Sequence, residues 1–238
     1  MERSKKFVLG IDVGGSKIRG VLHNGKKALR FLEISTPKTK KQFEKSIRKI
    51  SVQLAAGDEI NYIGIAVAGV VEGMIINESP NIKYLKNFDF KKLKLAQNIK
   101  VDNDARAFLK AETVRHRVSD RVLGITVGTG IGRAFFVNGK IKKIKQFEYP
   151  EKWEWEYQKI RDQKNNAGLA NFLGIKLSPI IKKYKPGVVV LGGGVMERKK
   201  FFEKMEKRLP TCAGKPIKVM CARLHNKAGA YGAAMLWR

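Results

Sequence analysis

The sequence of 238 residues predicts an α/β fold made of two lobes, each with a mixed sheet flanked by helices. Apolar, β-rich runs alternate with segments of helical periodicity along the whole chain. The opening pattern of a strand, a glycine-rich turn and a second strand occurs near the start and again near the middle, which indicates a duplicated fold. With 43% hydrophobic residues, a chain of this length can bury a core in each lobe.

The first half of the chain predicts three strands, a helix and then a further alternation of strands and helices. The apolar run over residues 7–13 ends at two glycines and continues as a second strand over 18–22, which is typical of a tight hairpin. The other predicted elements are a strand over 28–34, a helix over 43–54, a strand over 62–67, a hairpin over 70–76, a short helix over 88–95, a strand over 99–101 and a helix over 105–114. We expect the first lobe to cover residues 1–117.

The second half repeats this order. Asn138-Gly139 is a dipeptide typical of a two-residue hairpin loop. The predicted elements are strands over 122–127, 131–137 and 141–144, a helix over 169–184, a strand over 188–191, a helix over 196–209, a strand over 217–221 and an Ala- and Gly-rich closing helix over 227–237. We expect the second lobe to cover residues 118–225, and the closing helix, within 226–238, to return to the first lobe.

The formal charge of +28 results from 49 Lys and Arg residues against 21 Asp and Glu residues. One interpretation is attraction of polyanions such as nucleic acid or phosphorylated ligands, and the other is a lysine-rich composition that keeps the protein soluble. The lysines are scattered, without interleaved aromatic platforms or a recognition helix, so the second interpretation is favoured. Nucleic acid is not an expected partner.

Hydropathy and cysteine content predict a cytoplasmic protein with no membrane partner. No apolar run approaches membrane-spanning length, and the N-terminal run reaches Asp12 before it could form the core of a signal peptide. Cys212 and Cys221 are too few for a disulfide framework or a four-thiolate zinc site. We therefore expect no zinc site.

The segment from Gly10 to Lys17 places a carboxylate at the end of a strand and two glycines in the turn behind it. Backbone amides in such a turn can approach a phosphate closely, Ser16 adds a hydroxyl donor, and Asp12 can hold Mg²⁺ through water. The alternative is a plain hairpin whose glycines only supply positive φ angles. This segment alone does not decide between the two.

Two further glycine elements follow strands in the second half. Residues 124–132 repeat the first device, with Thr129 in the role of Ser16, and they are not a Walker A loop because no Gly-Lys-Ser/Thr follows. Residues 191–195 lie between a strand and a helix, where backbone amides could face a nucleotide. Three such elements favour nucleotide binding, and a valine at Gly193 is expected to weaken that binding without disturbing the fold.

Asp104 is the candidate general base. It follows a predicted strand and precedes a predicted helix, so Asp104 or Asn103 could be no more than a helix N-cap. The functional interpretation is that a phosphoryl acceptor hydroxyl needs a positioned carboxylate to take its proton.

The order of these motifs resembles the ROK family of sugar kinases and repressors, within the actin-like ATPase superfamily, which has a ribonuclease-H-like topology. The segments that carry the resemblance run in family order: GIDVGGSK at 10–17, AGVVEG at 68–73 followed by SPN at 79–81, VDNDARA at 101–107, GITVGTGIG at 124–132, LGGGV at 191–195 and GAYGAA at 229–234. The ordered set of segments is specific to the family, although each segment alone is modest evidence.

The resemblance implies ATP-dependent phosphorylation of a sugar hydroxyl, as in glucokinase-like kinases of hexoses or amino sugars, with Asp104 as catalytic base. It implies ATP and Mg²⁺ as cofactors, with Asp12 serving the metal and ATP bound mainly by the second lobe. The implied sugar ligands are Gly69, Asn81, Asn103, Asp104 and Glu148. The implied phosphate and nucleotide contacts are Gly14, Gly15, Ser16, Lys17, Gly128, Thr129, Gly130, Gly192, Gly193 and Gly194. A homodimer is possible, because relatives often dimerise.

The chain departs from the family in one region. The family usually has Gly-Glu-x-Gly-His after the second-lobe hairpin, where this chain has Phe-Glu-Tyr-Pro-Glu over residues 147–151. Glu148 retains the carboxylate, Glu151 stands at the histidine position, and the family's cysteine-rich zinc loop is absent. Two alternatives therefore stay open: a non-sugar kinase or ATPase of the same superfamily, and a non-catalytic sugar- or nucleotide-binding regulator. Repressor relatives carry an N-terminal helix-turn-helix, for which a first strand beginning near residue 7 leaves no room.

Overall fold

The computed structural model describes residues 7–116, 121–214 and 216–237. The chain divides into two compact units, one made of residues 1–111 and 227–238 and the other of residues 112–226. The expected lobe boundary between residues 117 and 118 lies outside the described residues. The α/β fold class is confirmed, because each unit contains a five-stranded mixed sheet with helices packed on it.

The first unit is built on a sheet in which a parallel half adjoins an antiparallel half. Its strands and helices are β1 (Val8–Val13), β2 (Lys17–His23), β3 (Ala28–Ser35), α1 (Lys40–Ala55), β4 (Tyr62–Val67), β5 (Val70–Glu72), β6 (Ile75–Glu78), β7 (Phe88–Asp89), β8 (Asn98–Asn103) and α2 (Asp104–His116), which continues into the second unit. The strand order is β3-β2-β1-β4-β8, with β1 antiparallel to β2 and parallel to β4. Strands β5, β6 and β7 form a separate small sheet.

The second unit repeats this order. Its elements are β9 (Val122–Val127), β10 (Ile131–Val137), β11 (Lys140–Lys142), α3 (Glu154–Asp162), α4 (Asn166–Tyr184), β12 (Val188–Gly192), α5 (Phe201–Ala213) and β13 (Lys218–Cys221). The strand order is β11-β10-β9-β12-β13, again with an antiparallel half and a parallel half. The predicted duplication is therefore confirmed, and the glycine turns β1–β2 and β9–β10 occupy equivalent positions. No described helix has the length and apolar character needed to cross a membrane.

Several local elements differ from the predictions. The helix expected over 88–95 is the short strand β7 followed by a 3₁₀ turn at 90–93, and β11 ends two residues earlier than expected. The helix expected from residue 196 begins at Phe201, because Lys200 adopts a left-handed conformation (φ 58°) that interrupts it. The largest difference is α3, which was not predicted at all.

The closing helix α6 (Ala228–Ala234) belongs to the first unit and contacts its sheet backbone to backbone. A Cβ atom added at Gly64 would lie 1.8 Å from the carbonyl oxygen of Ala233, and one at Gly232 would lie 1.8 Å from that of Ala107. Neither position can hold a side chain unless the backbone moves. The small residues of α6 are therefore required by its close packing on β4 and α2.

We predict that Gly232→Ala lowers the free energy of unfolding by about 3 kcal/mol or more, because the new methyl group would overlap the backbone of Ala107. In an exposed helix the same change would be stabilising by up to about 1 kcal/mol. Chemical denaturation measures the difference. Gly187→Ala is the matched control, since a Cβ atom there has only ordinary contact with Arg121, at 3.9 Å. Equal stability of the two variants would contradict the packing argument.

Candidate active site

The candidate base and the candidate magnesium ligand lie at the same edge of the first unit's sheet. Val13, Val67 and Asn103 are in register across β1, β4 and β8. Because these strands are parallel, their carboxyl ends meet at one edge. Asp12 precedes Val13 and Asp104 follows Asn103, and the charge of Asp104 acts directly on Asp12.

Asp12 is half-buried, and its negative charge is only partly offset by the positive charge of Arg19. Burial, followed by the negative charge of Asp104, raises the pKa of Asp12 to about 7. Arg19, opposite Asp12 on β2, acts to lower this pKa, but its Nε is also bonded to Glu33 at 2.7 Å. Gly229 of α6 lies against the carboxylate, and a Cβ atom there would be 2.5 Å from the Asp12 Cγ atom.

The donor chemistry at Asp12 suits a magnesium ion. Mg²⁺ prefers oxygen ligands and is usually held by one or two carboxylates together with water and substrate phosphates. A divalent cation would relieve the repulsion between Asp12 and Asp104. Among the described residues no group of three or more His, Cys, Asp or Glu side chains could hold a metal ion by itself. Asp12 would hold such an ion together with water and other oxygen ligands.

Asn103 and Asp104 have different roles at the start of α2. The Oδ1 atom of Asn103 accepts the N–H groups of Ala105 (3.0 Å) and Arg106 (3.3 Å), and its Nδ2 atom donates to the carbonyl of Gly69 (3.0 Å). Asp104 accepts one bond from Ala105 at 2.9 Å, and burial raises its pKa to about 6. Asn103 therefore caps the helix, and the charge of Asp104 is not needed for capping.

The other residues of the first unit that were predicted to bind sugar lie on segments that are hydrogen-bonded to each other. Gly69 has a φ angle of 147°, and a Cβ atom there would be 2.1 Å from the carbonyl oxygen of Glu78. The hydroxyl of Ser79 donates to the carbonyl of Ala68 at 2.8 Å, and half-buried Asn81 lies in the turn that follows. Together with the bond from Asn103, these contacts fix the loop around Gly69 next to the start of α2.

The first glycine turn, residues 14–16, is fixed by a residue on the segment after β3. The N–H group of Gly14 donates to Lys17 within the turn at 3.0 Å. Thr36 donates its hydroxyl to the carbonyl of Gly14 (2.7 Å) and its backbone N–H to that of Ser16 (3.0 Å). The ammonium of Lys17 pairs with Glu33 at 3.0 Å, so in this structure it contacts β3.

The second glycine turn, residues 128–130, lies in the second unit between β9 and β10. The N–H group of Gly128 donates to the carbonyl of Gly130 at 3.0 Å, which closes a tight turn. Helix α3 supplies donors to this turn from Tyr157, whose hydroxyl bonds Gly128 at 2.6 Å, and from Arg161, which bonds Thr129 at 2.9 Å.

The third glycine element, residues 192–194, lies against the end of β9, directly before the second turn. Gly193 has a φ angle of 92°, and a Cβ atom there would be 2.5 Å from the carbonyl oxygen of Val127. The expectation that a valine at Gly193 leaves the fold intact is therefore wrong, because the side chain would overlap the protein's own backbone. At Gly194 an added Cβ atom has no neighbour within 4 Å, so that position is the cleaner probe of ligand approach.

The region that departs from the family pattern contains a buried arginine paired with a partly exposed glutamate. Glu148 is buried at the end of a 3₁₀ turn in the second unit. Arg133 on β10, only 1% exposed, bonds the carboxylate of Glu151 and the carbonyl of Tyr149, and lies 5.6 Å from the ring centroid of Phe147. The side chain at the family's histidine position is therefore used to neutralise a buried arginine.

Several residues that shape the candidate site were missed in the sequence. Thr36 and Ser79 have no local signal, because their partners are about 20 and 11 residues away. Helix α3 did have a local sequence signal, because Trp153, Tyr157 and Ile160 follow the i, i+4, i+7 spacing of a buried helix face.

The chain is similar to known proteins over most of its length. The model of the ROK family matches residues 8–143 and 158–238. The sequence is 29% identical over 143 residues to N-acetyl-D-glucosamine kinase from Haemophilus influenzae, a match covering 56% of this chain and 46% of that kinase. The chain therefore spans about half the length of this relative.

Solved structures with a similar fold include two sugar kinases. One is a ROK family glucokinase from Streptomyces griseus in complex with glucose and AMPPNP (TM-score 0.83, 20% identity, 97% of this chain and 98% of that chain). The other is an inorganic polyphosphate/ATP-glucomannokinase from Arthrobacter sp. strain KM (TM-score 0.80, 25% identity, 97% of each chain).

We predict that Asp12→Asn stabilises the protein at about pH 8 in the absence of metal and nucleotide. The pKa of Asp12 is about 7 in the folded protein against 3.8 ordinarily, so the contribution of this group to stability is most favourable below about pH 4 and is lost as the pH rises to about 7. The asparagine removes this loss. The melting temperature should rise by several degrees at about pH 8, and the gain should vanish near pH 4.

Asp162→Asn is the control, at a carboxylate whose pKa shift has the opposite direction to that of Asp12. A hydrogen bond from Arg161 lowers the pKa of this exposed carboxylate. It should give no stabilisation at about pH 8. A gain for Asp12→Asn that is independent of pH, or no gain, would refute the electrostatic account of this edge.

Proposed function

This chain belongs to the ROK family, and from that premise we propose that it is a kinase that transfers the terminal phosphate of ATP to a hydroxyl group of a sugar. The main observation in support of the proposal is that Asn103 and Asp104 have different roles at the start of α2. Asn103 caps the helix, while Asp104 keeps a half-buried carboxylate with a pKa of about 6. A base with a pKa near neutrality is suited to accept a proton during catalysis.

In the proposed reaction, the acceptor hydroxyl oxygen attacks the γ-phosphorus of ATP. The bond from this phosphorus to the oxygen that bridges it to ADP breaks, a sugar O–P bond forms, and the hydroxyl proton passes to Asp104. Asp12 would hold Mg²⁺ through water. The ion, when bound, offsets negative charge on the phosphates.

The glycine turns are proposed to bind the phosphates. Turns 14–16 and 128–130 follow β1 and β9 at equivalent positions of the two sheets, and the element 192–194 packs on Val127 at the end of β9. Their backbone N–H groups can donate to phosphate oxygens without a side chain in the way. Ser16 and Thr129 would add hydroxyl donors.

A hexose or an amino sugar is the proposed acceptor class. Gly69, Asn81 and Asn103 lie on connected segments of the first unit and offer a backbone group and two carboxamides, which suit sugar hydroxyls. The kinase of Haemophilus influenzae, named for an acylated amino sugar, and the glucose complex from Streptomyces griseus support this class.

We predict that Asp104→Asn lowers kcat for sugar-dependent ADP release by at least about 100-fold, since a general base contributes about 10²- to 10⁴-fold. Asparagine keeps the shape of aspartate but cannot accept the hydroxyl proton. The KM for ATP and the melting temperature should stay close to those of the parent, because Asn103 already caps α2.

The control is Asp89→Asn, at an aspartate whose Oδ1 atom accepts the Lys91 N–H group at 2.9 Å and caps a 3₁₀ turn. Its kcat should equal that of the parent within about twofold, because asparagine caps as well as aspartate. If folded Asp104→Asn protein turns over sugar as fast as this control, Asp104 is not the base.

Inorganic polyphosphate is a second candidate donor, favoured by the likeness to the polyphosphate/ATP-glucomannokinase. We predict that polyphosphate supports sugar phosphorylation, and that between about 50 and 200 mM salt this rate falls more steeply than the rate with ATP, because a long polyanion releases more counterions. Rates with each donor at matched sugar concentration test this. Product formation from ATP alone would exclude polyphosphate as a donor.

A further inference from the structure

We infer that Tyr157 and Arg161 on α3 are positioning residues, which orient the backbone N–H groups of the turn 128–130 toward the nucleotide phosphates. The inference rests on the proposed function and deepens it, because it assigns a role to α3, which carries none of the glycine or carboxylate motifs described above. Residues 154–157 of α3 also lie outside the two stretches that match the ROK model.

Helix α3 gives two consecutive carbonyl groups of the turn their hydrogen-bond donors. The hydroxyl of Tyr157 donates to Gly128 at 2.6 Å, and Nη1 of Arg161 donates to Gly128 at 3.1 Å and to Thr129 at 2.9 Å. The two side chains are four residues apart and therefore share one face of the helix. The carbonyl groups of Gly128 and Thr129 thus point toward α3.

The planarity of the peptide bond converts this contact into an orientation of the N–H groups. In a trans peptide unit the C=O and N–H groups point in opposite directions. The carbonyl of Gly128 shares its unit with the N–H group of Thr129, and the carbonyl of Thr129 shares its unit with that of Gly130. Holding both carbonyls toward α3 therefore directs two successive N–H groups away from α3, which is the arrangement of a backbone anion site.

The two donors are themselves held firmly. Tyr157 is fully buried, and burial raises its pKa to about 12, so its hydroxyl stays protonated and able to donate. Arg161 lies 5.7 Å from the Tyr157 ring centroid, pairs with Asp162 at 2.8 Å, and accepts a bond from Arg198 on its own carbonyl at 3.0 Å. Little freedom is left for either side chain to leave the turn.

The start of α3 is anchored on the other side of the turn. The carboxylate of Glu154 accepts the backbone N–H groups of Ile131, at 3.1 Å, and of Glu151, at 2.9 Å. Ile131 is the first residue of β10, directly after the turn. Helix α3 therefore holds the turn at its carbonyl groups and at the strand that leaves it.

The test uses Tyr157→Phe and Arg161→Gln in the full chain, with ATP and adenosine as the probes. Each variant removes donors to the turn, while the ring of Tyr157 keeps its packing. We expect the Kd for ATP to rise about 3- to 10-fold in Tyr157→Phe and about 10-fold or more in Arg161→Gln, with the Kd for adenosine unchanged within about twofold. The KM for ATP should rise and the KM for sugar should not.

Two matched controls lie in the first unit. The hydroxyl of Tyr84 donates to the carbonyl of Pro37 at 2.6 Å, and Arg30 donates from one Nη1 atom to two backbone carbonyls and to Asp58. Tyr84→Phe and Arg30→Gln delete the same kinds of bond away from the turn. Both controls should bind ATP as the parent does.

The outcomes separate this inference from the function on which it rests. If the parent binds ATP and the α3 variants bind it equally well, or lose ATP and adenosine in equal proportion, the positioning role is refuted while the kinase proposal stands. If the parent binds no nucleotide, the proposed function fails and this inference fails with it. If Tyr157→Phe does not fold, the half-buried Arg161 decides the question alone through Arg161→Gln.

Discussion

The close contact between the backbone of α6 and the sheet of the first unit is the constraint on which the candidate site depends. Glycines at positions 10, 64 and 232 let this helix approach β1, β4 and α2 more closely than any side chain would allow. At that distance Gly229 lies against the carboxylate of Asp12. Helix α6 thus sets the surroundings of Asp12, although the two are far apart in the sequence. The packing of this helix and the chemistry of the site are therefore linked.

That packing makes the edge of the sheet electrostatically costly in the ligand-free protein. Asp12 and Asp104 are both half-buried, and their pKa values are raised to about 7 and about 6. Capping does not require the charge of Asp104, because Asn103 caps α2 and holds Gly69. Carboxylates kept in a setting that disfavours their charge are typical of sites that bind a ligand.

The sequence predicted most of the elements of both sheets, because buried strands and hairpins leave local signals: continuous apolar runs and turn dipeptides such as Asn138-Gly139, where both residues have positive φ angles. It also predicted the repeated strand–turn–strand order. It could not reveal which residues hold the glycine turns, since Thr36 and Tyr157 act on partners far away in the chain. Likewise, Gly193 was assigned to the nucleotide alone, although its φ angle of 92° and its contact with Val127 make it structural as well.

The central claim is that Asp104 accepts the proton of a sugar hydroxyl. The most direct measurement is the distance between the Asp104 carboxylate and the acceptor oxygen in a crystal structure with bound hexose or amino sugar, AMPPNP and Mg²⁺. The account predicts an oxygen–oxygen distance of about 2.6 to 3.2 Å, with the same hydroxyl facing the γ-phosphate. A sugar bound with every hydroxyl beyond hydrogen-bond reach of Asp104, and with another residue at the reacting oxygen, would contradict it.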